Sequence, residues 1–96
     1  MSSTRVFTYD VTAPGGFLAP GQSYEFWWGP WDFQDEAVVV TAHPVQYGRY
    51  QDAMFEVSNV RSKVEYESDN RFILATVTNV FGSRADIQLI LALSSP

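Results

Sequence analysis

Apolar and polar residues alternate with a period of two along most of this chain, the signature of half-buried strands. In Arg5 to Val11, Phe7, Tyr9 and Val11 share one face while Thr8 and Asp10 take the other. In Ser23 to Trp28, Tyr24, Phe26 and Trp28 oppose Ser23, Glu25 and Trp27. Ala37 to His43 has an unbroken Val38-Val39-Val40 centre, which predicts a strand covered on both sides. Ala53 to Val60 alternates again, and Arg61 to Tyr66 reads as a bulged extension of it. Arg71 to Val80 is a long strand, and Ala85 to Leu93 closes the series with Ile87, Leu89, Leu91 and Leu93 facing inward.

Turn chemistry falls between these segments. Ala13-Pro14-Gly15-Gly16 and Ala19-Pro20-Gly21-Gln22 break the chain twice, with Phe17 and Leu18 as a short bridge between them. Gly29-Pro30 is read as the end of one strand and Pro44 as the end of another, because proline cannot donate a ladder hydrogen bond. Residues Trp31 to Glu36 and Gln46 to Asp52 read as connections, Ser68-Asp69-Asn70 and Phe81-Gly82-Ser83 as turns. No window carries a capped helical stripe; the weak best is Arg49 to Glu56. The pattern predicts one all-β domain over residues 1–96. Its expected form is an antiparallel β-sandwich of roughly six to eight strands, immunoglobulin/fibronectin-like or jelly-roll, with a small barrel as the alternative. The expected core contains Phe26, Trp28, Val38, Val40, Phe55, Val57, Phe72, Leu74, Leu89 and Leu91.

The stretch Val77-Thr78-Asn79-Val80-Phe81-Gly82 and the alternating strand after it resemble the late strands of fibronectin-type and other immunoglobulin-like adhesive modules. There a strand ending in V-x-N-x-G leads through a turn to the last strand; here the glycine falls one place later. The resemblance covers about residues 70–93, and Trp27 or Trp28 stands where such folds place a core tryptophan. It implies a sandwich with a binding or structural role, by analogy alone.

Composition agrees with a small folded domain that depends on large side chains. The 96 residues are 46% hydrophobic and 18% charged, with seven Phe, five Tyr and three Trp. This is too apolar for intrinsic disorder. Without cysteine there is no disulfide framework and no thiolate metal site. No apolar run approaches the roughly 18 residues of a membrane helix, and the N-terminus lacks the basic-then-apolar pattern of a secretory leader. A net charge of −5 argues against a general nucleic-acid binder.

Catalytic machinery is sparse. The single histidine, His43, precedes Pro44, and no serine stands in a G-x-S-x-G setting. No phosphate-cradling glycine loop occurs, and no cofactor is implied. Asp32, Asp35 and Glu36 form an acidic group, but their spacing is not that of an EF-hand, and a glycosidase carboxylate pair needs a larger scaffold.

The unusual feature is aromatic. Between Tyr24 and Phe33, six of ten residues are Phe, Tyr or Trp. Consecutive Trp27 and Trp28 in one strand must point to opposite faces, so both cannot enter the same core. Trp28 follows Tyr24 and Phe26 inward, which leaves Trp27 outside. The candidate ligand-binding residues are therefore Trp27, Trp31, Asp32, Gln34 and Asp35, with His43, Tyr47 and Tyr50 as a second group. The expected function is a non-enzymatic, lectin-like binding module whose partner is a neutral sugar or a protein. The alternative is an assembly subunit that self-associates through outward aromatic and apolar surface, and a homo-oligomer is expected on either reading.

Overall fold

The computed structural model describes residues 3–30, 36–45 and 52–95, together with the backbone course of Trp31 but not its side chain. These residues form strands and turns with no helix. The strands are β1 (Ser3–Val11), β2 (Ser23–Trp31), β3 (Ala37–Val45), β4 (Ala53–Val64), β5 (Arg71–Gly82) and β6 (Asp86–Ser95). They make two three-stranded sheets, one in the order β1-β6-β3 and one in the order β2-β5-β4. Every described pairing is antiparallel. β5 and β6 lie in different sheets, so the turn at Gly82 is a crossover rather than the hairpin implied by an immunoglobulin-like ending.

One core lies between the two sheets. Ile87, Leu89, Leu91 and Leu93 of β6 and Val40 of β3 meet Trp28 of β2 and Ile73, Ala75 and Val77 of β5. The rings of Tyr9 and Trp28 touch across the gap, 6.3 Å between centroids. Phe17, from the loop after β1, closes the side by packing edge-on against Tyr24 at 5.3 Å. Phe26, Val38, Phe55 and Val57 are half-buried against this cluster.

The alternation in β5 runs opposite to expectation. Ile73, Ala75, Val77 and Asn79 are buried, whereas Phe72 and Leu74 lie on the outer face and are only half-covered. Apolar residues stand at both Phe72 and Ile73, so hydropathy alone leaves the phase open; the register of Trp28 against Ile73 decides it. The Val38–Val40 run also reads differently. β3 is an edge strand with one covered face, and Val39 is 58% exposed. Because β3 is an edge, Pro44 ends nothing: the strand continues to Val45.

Gly29-Pro30 likewise does not end β2. The strand takes a bulge between Trp28 and Trp31, and Trp31 pairs in register with Arg71. Gly29 has φ 142°, and a Cβ there would lie 2.6 Å from the Arg71 carbonyl oxygen and 2.7 Å from the Phe72 ring. Only glycine fits so close to β5. A second bulge, between Ser58 and Arg61 with Asn59 at φ 53°, carries β4 on to Val64, in line with the bulged extension expected there.

Two buried polar side chains tie the loops at one end. Asp86 Oδ1 accepts hydrogen bonds from the backbone N–H of Ala13 (3.1 Å) and Phe17 (2.9 Å). Asn79 Nδ2 donates to the carbonyls of Leu18 (3.0 Å) and Ser83 (2.9 Å), while Asn79 Oδ1 has no partner among the described residues.

Candidate functional site

The outer face of the β2-β5-β4 sheet is built from rows set by strand register. Trp27 stands opposite Leu74, which stands opposite Arg61; Phe72 stands opposite Lys63. Period two forces Trp27 away from the core once Trp28 enters it. Trp27 is 63% exposed, against 8% for Trp28.

Trp27 does not stand alone. Its ring meets Phe72 edge-to-face, with centroids 5.9 Å apart and planes at 63°. Lys63 Nζ lies over the other ring of this pair, 5.2 Å from the Phe72 centroid. Lys63 Nζ also approaches Glu65 Oε2 at 3.8 Å, a loose, half-exposed ion pair worth little in stability. Trp27, Leu74, Phe72, Lys63 and Glu65 together line an open groove of about 320 Å³. Alongside it, Arg61 donates to Glu25 at 2.7 Å, and the hydroxyls of Ser23 and Thr78 share a hydrogen bond of 2.7 Å.

The groove has an apolar wall of Trp27, Phe72 and Leu74, with the two rings in contact. Its polar groups are one ammonium and one carboxylate, which nearly cancel.

His43 is exposed on the outer face of the β1-β6-β3 sheet, in a row with Gln88 and Asp10. Trp27 faces outward from the other sheet, so the structure does not bring these two candidates together. Trp31 is the last residue of β2 rather than part of a loop, and its side chain is not described. Asp32, Gln34, Asp35, Tyr47 and Tyr50 lie outside the described residues.

Phe72, Leu74, Lys63 and Glu65 escaped the sequence reading. Phe72 and Leu74 were assigned to the core by the wrong phase of β5. Lys63 and Glu65 are distant from Trp27 in sequence, and only the β4-β5 register places Lys63 beside Phe72. Among the described residues no cluster of His, Cys, Asp or Glu has the makings of a metal site.

Comparison with protein families, with characterised proteins and with solved structures finds no match to this chain.

Proposed function

We propose that this protein is a non-enzymatic β-sandwich module that binds a neutral carbohydrate on the outer face of the β2-β5-β4 sheet. The sandwich is of jelly-roll type. Strand orders β1-β6-β3 and β2-β5-β4 are what results when a chain pairs its first strand with its last and its second with its last but one, then rolls up.

The observation that carries the reading is the exposed Trp27 ring set against Phe72 in a groove of about 320 Å³. That volume is at the lower end of small-ligand sites. An indole offers a flat apolar face to the C–H side of a sugar ring, and its N–H is a donor for a hydroxyl. Lys63 and Glu65 supply further donors and acceptors. Their opposite charges favour a ligand with no net charge.

The second reading is self-association, and it has its own observation. On the outer face of the β1-β6-β3 sheet, Val6, Ala92 and Val39 form one cross-strand row, with Val6 59% and Val39 58% exposed. Both valines are on edge strands, where a second chain has access.

A glycan-array screen, with light scattering on the same sample, tests the two together. Binding of a neutral glycan, whatever the mass of the protein, supports the first reading. A stable oligomer that binds no glycan supports the second and overturns the first.

A further inference from the structure

A cleft of about 250 Å³ lies between the β3 edge of one sheet and the β4 edge of the other, and reaches the buried Ile73 of the core. Its apolar wall comes from both sheets: Val38 of β3, Val60 and Val64 of β4, and the buried Ile73 of β5. Its charged groups are unusual for this chain. Arg61, Lys63 and Arg71, three of only six basic residues in a protein of net charge −5, line this one opening.

Most of the charges there are already paired. Glu36, the acid in the cleft, receives the Arg5 guanidinium, Arg61 donates to Glu25, and Lys63 approaches Glu65. Arg71 is the remaining one. In β5 the odd positions face the core, so Arg71 continues the inward row of Ile73, Ala75 and Val77 and stands opposite Val64. It is half-buried and makes no side-chain hydrogen bond or ion pair with a described residue.

We propose that this cleft binds a small carboxylic acid with an apolar tail. The carboxylate takes the Arg71 guanidinium, whose planar fork matches two carboxylate oxygens. The tail lies along Val38, Val60 and Ile73. The volume is that of about eight liquid waters at about 30 Å³ each, room for an acid of about six carbons. The site is separate from the Trp27 groove: Lys63 borders both, but Arg71 does not line the groove.

The test uses the full chain and two-dimensional ¹H–¹⁵N spectra, with hexanoate, hexanol and inorganic phosphate as probes. Hexanoate is expected to give saturable shifts at the amides of Val38, Val60, Val64 and Ile73. Hexanol, which has the tail without the charge, and phosphate, which has charge without the tail, are each expected to bind about tenfold more weakly. Arg71→Gln is expected to weaken hexanoate by about the same factor while leaving shifts elsewhere unchanged. Absence of saturable shifts at those four amides overturns the proposal, as does equal binding of hexanol or of phosphate. Unchanged hexanoate binding by folded Arg71→Gln overturns it too; should that variant fail to fold, the comparison of the three probes on the unsubstituted protein decides.

Discussion

Trp27 and Trp28 are neighbours in sequence and stand on opposite sides of one sheet, 63% and 8% exposed. This follows from strand geometry, and it puts one of two adjacent rings in the core and the other on the outer face. Trp28→Ala removes a ring packed against Tyr9 and Phe26 and is expected to cost about 3–5 kcal/mol. Trp27→Ala loses one edge-to-face contact and is expected to cost less than about 1 kcal/mol. Urea unfolding of the two variants checks the contrast; comparable losses would place both rings in the core.

Asn79 is expected to hold two loop segments, at Leu18 and Ser83, through one side-chain amide. Asn79→Ala removes the donor to the Leu18 and Ser83 carbonyls, of which Leu18 keeps the Ala85 N–H, a loss of about 1–3 kcal/mol. Asn79→Asp puts an acceptor where a donor is required and is expected to cost more than the alanine. Denaturant midpoints of the pair give the order directly.

Asp86 acts on the opposite polarity, accepting from two backbone N–H groups. Asp86→Ala is expected to lose about 2–3 kcal/mol, because hydrogen bonds to a charged acceptor are the stronger kind. Amide exchange should report it locally: protection at Ala13 and Phe17 falls further than protection in β5. Uniform loss of protection would show that Asp86 serves the whole core instead.

Gly82 and Gly21 separate crowding from backbone strain. Both have positive φ, 101° and 83°. A Cβ on Gly82 would overlap the carbonyl of Asp52 and lie 2.9 Å from the Ala53 Cα, whereas a Cβ on Gly21 meets open space. Gly21→Ala is expected to cost about 1 kcal/mol, the left-handed penalty alone. Gly82→Ala is expected to cost more than about 2 kcal/mol. Thermal melts of the two suffice to rank them.

The sequence made the strands readable because alternation and turn residues are local. Ser23–Trp28 and Asp86–Leu93 needed nothing beyond themselves, since each has one apolar face. Arg71–Gly82 was different. Phe72, Ile73, Leu74 and Ala75 are apolar in succession, because the outer face of this central strand is itself partly roofed by Trp27 and Lys63. Its phase depends on pairing with Trp28, a long-range fact. The same reason hid half of the groove. Trp27 was legible as an outward ring from its neighbour alone, but its companions come from β4 and β5 through register and a bulge. The strand ends at Gly29-Pro30 and Pro44 misled for another reason: proline stops a central strand, and both β2 and β3 are edges.

The most direct test of the Trp27 groove is the indole N–H signal of Trp27 in a ¹H–¹⁵N spectrum, assigned with Trp27→Phe, during titration with neutral cello-, xylo- and chito-oligosaccharides. If the groove is a carbohydrate site, the Trp27 indole signal moves and saturates with at least one of them, while the Trp28 indole, buried on the other side of the sheet, stays in place. A Trp27 signal that stays fixed through all three titrations would contradict it.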